Sequence, residues 1–127
     1  MEFFEEVKNN GVDVNRLKAL LTIENLPRLC AFISVTDNQK TTGTIYCDWG
    51  QQTLSREEVK NGVRFSSLTC PDTLAWTVTL EDNGNTILIH CATNKKQHDE
   101  EYIDSILEFM GDWSTGLSKT LREDAPV

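Results

Sequence analysis

The strongest constraint on this chain is a pair of alternating apolar runs around Asn83-Gly84, in the segment LAWTVTLEDNGNTILIHCA. A period of two is typical of strands, and Asn-Gly tolerates the positive φ angles of a two-residue type I′ turn. The sequence therefore predicts an antiparallel hairpin with Asp82 opposite Asn85. This register makes one face apolar and leaves the other semi-polar. The apolar pairs are Leu80–Ile87, Val78–Ile89 and Trp76–Cys91, and the semi-polar pairs are Thr79–Leu88 and Thr77–His90.

Two further strands are predicted before this hairpin. The segment from Leu29 to Val35 alternates with apolar residues on both faces, which favours a central or covered strand. The polar loop TDNQKTTG then leads to a strand from Thr44 to Trp49, and the loop length favours an antiparallel pair. A weaker alternation from Val63 to Leu68 is compatible with another strand, which Cys70-Pro71-Asp72 would end.

The N-terminal region is predicted to be helical. Phe3, Phe4 and Val7 suggest a first helical segment that Asn9-Asn10-Gly11 interrupts. Helical spacing resumes after Asp13, a plausible N-cap, and continues to Leu21. Pro27 is expected to end any helix nearby.

Two more helices are predicted. Ser55 and Glu58 match a capping box, which suggests a short middle helix ending before Gly62. A long last helix begins after Asp99 as N-cap, although Gly111 and Gly116 could kink or end it. Its apolar stripe recurs at spacings of three and four and comprises Ile103, Ile106, Leu107, Met110, Trp113, Leu117 and Leu121.

These elements predict an α+β fold: an antiparallel β-sheet with an N-terminal helical region, a short middle helix and a long C-terminal helix packed on it. A chain of 127 residues, 39% of them apolar, suits one domain, placed at residues 1–122 with a flexible tail at 123–127.

Charge and cysteine content narrow the classes of function. The formal net charge of −8 disfavours nucleic acid and anionic membranes as partners; it reflects either simple solubility or attraction to a basic protein surface. Without a secretory signal or an apolar run long enough to span a membrane, the expected compartment is the cytoplasm. There the four cysteines would be reduced thiols, although two disulfides in an exported domain are the alternative.

A search for chemistry finds no catalytic constellation, and no cofactor or metal is predicted. Neighbours on a strand point to opposite faces, so the His90 ring and the Cys91 thiol should be separated by the sheet. The dense segment His98-Asp99-Glu100-Glu101 is best explained by helix capping, and Asp48 by an outward-facing strand end. Metal-ligand spacings and phosphate-binding glycine loops are missing from the sequence.

The surface then offers the best candidates for function, as contacts to another protein. An acidic face lies beside the apolar stripe of the last helix, and two aromatic residues lie on an acidic N-terminal segment. The candidate partner-binding residues are Phe3, Phe4, Trp49, Asp99, Glu100, Glu101, Asp104, Glu108 and Trp113. The alternatives are a core-facing stripe and a solvated acidic face.

Near the end of the chain, Ile87-Leu88-Ile89-His90-Cys91 precedes a helix that carries Ile106, Phe109 and Trp113. This arrangement, with the order of elements before it, resembles the class I type III secretion chaperones. The resemblance implies a small acidic cytoplasmic homodimer that holds an extended segment of a client protein along apolar grooves, without a cofactor. Main-chain addition at a sheet edge and side-chain pockets would then supply affinity.

Two other classes stay open at this point. An immunity or inhibitor protein would dock its acidic face on a basic toxin or enzyme, with electrostatic attraction speeding association. A small enzyme with an undistinguished acid/base pair is the third class.

Overall fold

The computed structural model describes residues 1–47, 49–70, 73–94 and 100–124, and it confirms the α+β class. One seven-stranded sheet carries a long C-terminal helix and two short helices. The strands are β1 (Glu2–Lys8), β2 (Ser34–Gln39), β3 (Thr42–Cys47), β4 (Gly50–Val59), β5 (Gly62–Ser67), β6 (Ala75–Leu80) and β7 (Thr86–Ala92). The helices are α1 (Val14–Leu20), α2 (Leu26–Leu29) and α3 (Glu100–Asp124).

The sheet is antiparallel throughout, in the order β1-β7-β6-β5-β4-β3-β2. Strands β2 to β7 follow one another as hairpins, whereas β1 crosses over to pair with β7. The two edges are therefore β1 and β2. A register shift between Val35 and Asp37 interrupts the pairing of β2 with β3, a feature common at sheet edges.

The predicted register of the β6–β7 hairpin is confirmed, with Trp76 opposite Cys91 and Leu80 opposite Ile87. The predicted type I′ turn is wrong. Gly84 has a φ of +72° and its N–H donates to the Glu81 carbonyl at 2.9 Å, but Asn83 does not have the positive φ that this turn type requires. The side chain of Asn9 donates to the Gly84 carbonyl at 2.8 Å, so contacts from outside the hairpin also shape its loop.

The predicted helical segment at Phe3, Phe4 and Val7 is wrong, because these residues lie in β1. Phe3 and Val7 face the core on alternate positions, and the strand gains a full ladder of pairs with β7. Local spacing could not reveal partners at least 80 residues away. The helix after Asp13 is confirmed, since the Asp13 carboxylate accepts from the Arg16 N–H at 2.8 Å.

The chain between Pro27 and Val35 also differs from its prediction. Pro27 does not end a helix but occupies the first turn of α2, where its missing N–H costs nothing. Strand β2 begins only at Ser34 and lies at the sheet edge, so the predicted covered strand from Leu29 is wrong. The predicted pairing of β2 and β3 as an antiparallel hairpin is confirmed.

The predicted middle helix from Ser55 is wrong, because β4 runs through the apparent capping box to Val59. Pairing with β3 on one side and β5 on the other outweighs the local capping signal. The segment from Val63 to Leu68, for which the sequence left a strand open, contributes β5, which lies between β4 and β6.

Helix α3 confirms the predicted long helix and packs against β1, β7 and α2. It runs through both internal glycines and on to Asp124. Its buried face contains Ile106, Phe109, Met110, Trp113, Leu117 and Leu121, whereas Leu107 is 53% exposed. The predicted N-cap, Asp99, lies outside the described residues, as do residues 125–127. None of the helices in the described ranges is long and apolar enough to cross a membrane.

Candidate functional site

The site is built around the inner face of the sheet, the face that α3 covers. On β4 this face carries Gln52 and Leu54, both buried, and then Arg56. A cavity of about 310 Å³ opens beside Gln52, near the first turns of α3. Its described lining residues are Trp49, Gln51, Gln52, Thr69, Cys70, Leu74 and Tyr102. We call it the Gln52 cavity.

Gln52 is the distinctive polar group of this cavity. Only 6% of the residue is exposed. Within the described part of the chain its side-chain amide makes no hydrogen bond, yet it is not among the fully buried polar groups left without a partner, so it is open to the cavity. The amide therefore leaves both a donor and an acceptor available at the cavity wall.

The walls around Gln52 are held by hydrogen bonds that link separate elements. The Trp49 indole Nε1–H, in the turn between β3 and β4, donates to Ser105 Oγ at 3.1 Å. Ser105 Oγ in turn donates to the Tyr102 carbonyl at 2.7 Å, and the Tyr102 hydroxyl donates to Thr93 Oγ1 at 3.1 Å. Because the Trp49 N–H is already used, Trp49 contributes mainly apolar ring surface to the cavity.

An aromatic cluster fills the interior behind the cavity. Phe109 packs against Phe32, Trp49 and Trp76 with ring centroids 5.1–5.6 Å apart. Trp76 also contacts Phe65 and Trp113, both of them fully buried. This packing leaves the Gln52 cavity as a pocket at one end of the sheet–helix interface and closes the centre of the fold to a large ligand.

None of the described lining residues of the Gln52 cavity is acidic or basic. Deeper in the core, burial raises the pKa values of the Cys30 and Cys91 thiols to about 12. These two thiols are therefore protonated at neutral pH and poor nucleophiles. The arrangement suits binding by packing and hydrogen bonds.

The catalytic candidates considered from sequence are not brought together. His90 and Cys91 point to opposite faces of the sheet, as their spacing predicts: Cys91 is fully buried, and the His90 ring stacks on Phe4 at 4.6 Å. His90 Nε2 lies 3.0 Å from Glu2 Oε1. His98, Asp99 and Asp48 lie outside the described residues.

Among the described residues, no group of three Cys, His, Asp or Glu side chains has a metal-binding arrangement. No disulfide joins the four cysteines, all of which are described.

The predicted partner-binding residues do not form one surface. Phe4 is 61% exposed on the outer face of the sheet, whereas Phe3 packs against the core. Glu100, Glu101, Asp104 and Glu108 are exposed on α3. Trp113 is fully buried and is a core residue, and Trp49 lies in the wall of the Gln52 cavity. Binding of a protein partner and dimer formation stay predictions.

Most residues of the Gln52 cavity were missed by the sequence analysis. Gln52 belongs to no recognisable motif, and the capping box at Ser55 assigned its neighbourhood to the start of a helix. Alternation of apolar and polar residues does not mark this strand, because Leu54 is the only apolar residue between Gln51 and Glu58.

No protein-family model and no curated protein sequence matches the chain. Solved structures do share its fold. XoxI from Bacillus cereus superposes with a TM-score of 0.69 at 14% identity, covering 99% of both chains. The AHSA1 protein from Silicibacter pomeroyi superposes with a TM-score of 0.63 at 14% identity, and the match covers 98% of this chain and 99% of that one. DynU16, from the dynemicin biosynthetic locus, superposes with a TM-score of 0.54 at 15% identity. The match covers 91% of this chain and 46% of the DynU16 chain.

The predicted resemblance to type III secretion chaperones is wrong, because the structural neighbours are AHSA1-like and XoxI-type proteins. An apolar strand before a Phe- and Trp-bearing helix is too generic an arrangement to identify a fold. At these identities the likeness extends to the fold alone.

Proposed function

We propose that this protein binds a small, uncharged, planar molecule in the Gln52 cavity, without catalysing a reaction on it. The observation that carries the proposal is the side-chain amide of Gln52, a residue only 6% exposed, which makes no hydrogen bond among the described residues and lies at the wall of a cavity whose described lining residues are uncharged. Small-molecule sites typically combine apolar walls with a few polar groups that fix orientation. A charged ligand would lose its hydration there without gaining a counter-charge from the described lining residues.

The lining indicates the kind of molecule. The aromatic rings of Trp49 and Tyr102, with the Leu74 side chain, favour a flat apolar body. The Gln52 amide can both donate and accept, so a cyclic amide, which presents an adjacent N–H and C=O, is its natural complement. A cavity of about 310 Å³ accommodates one or two fused rings and no more.

The test is a titration of the ¹⁵N-labelled protein with 2-quinolone, a neutral bicyclic lactam, followed by NMR. We expect saturable shifts of the Trp49 indole N–H and the Gln52 side-chain amide signals. Gln52→Leu should weaken binding by about tenfold, the equivalent of one lost hydrogen bond in a desolvated site. Naphthalene, which has the same ring system without the amide, should bind less well than 2-quinolone.

Gln39→Leu is the matched control, because Gln39 is an exposed glutamine on the edge strand β2. It should leave the affinity for 2-quinolone unchanged. The proposal fails if the folded protein shows no saturable shift at Trp49, or if Gln52→Leu and Gln39→Leu bind 2-quinolone equally well.

A further inference from the structure

A second cavity, of about 520 Å³, lies at the opposite end of the inner row of β4. It is bounded by α1 and the turn after it, by the β2–β3 turn and by the end of β4, and we call it the α1 cleft. Fully buried Leu54 stands between Gln52 and Arg56 on the strand, so the two cavities are separate. The α1 cleft differs from the Gln52 cavity in being lined by charged side chains.

Arg56 is the central cation of the α1 cleft. Its Nε–H donates to the Leu21 carbonyl at 2.6 Å, and one terminal N–H donates to the Lys18 carbonyl at 2.9 Å. These bonds fix the guanidinium against the C-terminal end of α1 and use two of its five N–H donors. No carboxylate of the described residues forms an ion pair with Arg56, so three donors are left for a ligand.

Two lysines add to this charge. Lys18 is half-buried on α1 and Lys40 is exposed at the β2–β3 turn, and both line the α1 cleft. Neither ammonium has a hydrogen-bond or ion-pair partner within the described chain. Arg28, by contrast, is paired with Glu123 at 3.3 Å. The cations of the cleft are therefore not neutralised as Arg28 is.

The charged side chains of the α1 cleft have a net positive charge, whereas the whole chain is negative. Three cations and two acids, Glu24 and Glu58, line the α1 cleft, whereas the whole chain carries a net charge of −8. At physiological ionic strength the charges outside the cleft are screened beyond about 8 Å, so the nearest cations dominate the field that a bound ligand meets.

The floor of the cleft is partly apolar. The exposed apolar residue of the cleft is Ala19 on α1, beside the buried Ile23, so an inorganic ion would leave apolar surface uncovered. We propose that the α1 cleft binds a small organic monoanion, a carboxylate with a short apolar body. The carboxylate would accept from Arg56 and the two lysines, a geometry for which the guanidinium fork is well suited.

The experiment compares three probes by NMR titration: benzoate, benzamide and inorganic phosphate. Benzoate and benzamide have the same ring and differ in charge, whereas phosphate has charge without an apolar body. We expect benzoate to bind at least tenfold more tightly than either and to shift the backbone signals of α1 and of Lys40. Lys18→Gln and Lys40→Gln should each weaken benzoate binding about tenfold.

These lysine variants are preferable to Arg56 variants, because Arg56 also stabilises the end of α1. Lys8→Gln, an exposed position on the far edge strand β1, removes the same charge and should leave benzoate binding unchanged. Equal binding of benzamide or phosphate overturns the proposal, as does full benzoate affinity in both cleft variants. Neither result affects the proposal for the Gln52 cavity, which the 2-quinolone titration tests separately.

Discussion

Two glycines of α3 differ in what surrounds them, although the sequence alone does not distinguish them. A Cβ at Gly116 would collide with the backbone carbonyl of Leu29, at the end of α2, whereas a Cβ at Gly111 would meet no heavy atom within 4 Å. Gly116 therefore allows α3 and α2 to approach closely. Gly111 has no such contact and only lowers helix propensity.

We expect Gly111→Ala to raise the free energy of unfolding by about 1 kcal/mol, because alanine loses less backbone entropy in a helix. Gly116→Ala should lower it by about 1–3 kcal/mol, since α2 must shift to admit the methyl group. Urea unfolding followed by tryptophan fluorescence measures both. Equal effects of the two substitutions would contradict the assignment of Gly116 to the contact with α2.

The buried thiols give a prediction about alkaline pH. Burial raises the pKa values of Cys30 and Cys91 to about 12, above those of the same thiols in the unfolded chain. The folded state then holds these protons more tightly, so their contribution to stability is complete below about pH 9 and is lost as the pH rises towards 12. We expect the urea midpoint to fall between pH 9 and 10.5.

The double variant Cys30→Ala/Cys91→Ala is the control for this effect. It should be less stable at neutral pH, because each substitution leaves a small cavity, yet it should show a shallower fall above pH 9. The same steepness in both proteins would mean that other groups cause the alkaline loss.

At the scale of elements, the end of β1 is joined to the β6–β7 hairpin through Asn9. The Asn9 side chain donates to the carbonyls of Val12 and Gly84, both at 2.8 Å, and accepts from the Val12 N–H at 3.0 Å. Its own N–H donates to the Asn85 carbonyl at 2.9 Å. One buried side chain thus links the first strand, the approach to α1 and the hairpin loop.

We expect Asn9→Ala to lower the free energy of unfolding by about 3 kcal/mol, because it leaves buried backbone groups without partners. Asn38→Ala, at an exposed position of β2, should change it by less than about 0.5 kcal/mol. Urea unfolding tests the pair. If the two variants unfold at the same midpoint, the Asn9 bonds do not stabilise the junction.

The elements that local pattern predicts correctly are those whose partners are near in sequence. The β6–β7 register follows from alternation on both sides of one turn, and α1 and α3 follow from a cap or a long stripe. Strand β1 is predicted as a helix because Phe3, Phe4 and Val7 have helical spacing. Strand β4 is predicted as a helix because Ser55 and Glu58 match a capping box. Pairing with β7, and with β3 and β5, overrides those patterns.

The two candidate sites depend on the same long-range pairing. Of the Gln52 cavity, only Trp49 was singled out from sequence, and it was assigned to a protein contact. Gln52 and Arg56 gain their roles from facing one side of β4, and the α1 cleft exists because α1 covers the end of that strand. Neither arrangement has a sequence motif.

At the scale of the whole molecule, the aromatic cluster decides where ligands can bind. It fills the centre between α3 and the sheet, yet the indole N–H groups of both Trp76 and Trp113 are buried without a partner in the described structure. Two unsatisfied donors are costly in a well-packed interior. Packing of the aromatic rings closes the centre, and the two cavities proposed as ligand sites lie at the ends of the inner face of β4.

The crossover of β1 has a consequence for the synthesis of the chain. Glu2 pairs with Ala92, so the first strand cannot find its place until the last strand has left the ribosome. The consecutive hairpins from β2 to β7 can assemble in order as they emerge, whereas β1 must wait with the core-facing Phe3 and Val7 uncovered. Closure of such distant pairs slows folding. Of the strands in this sheet, β1 thus waits longest for its partner.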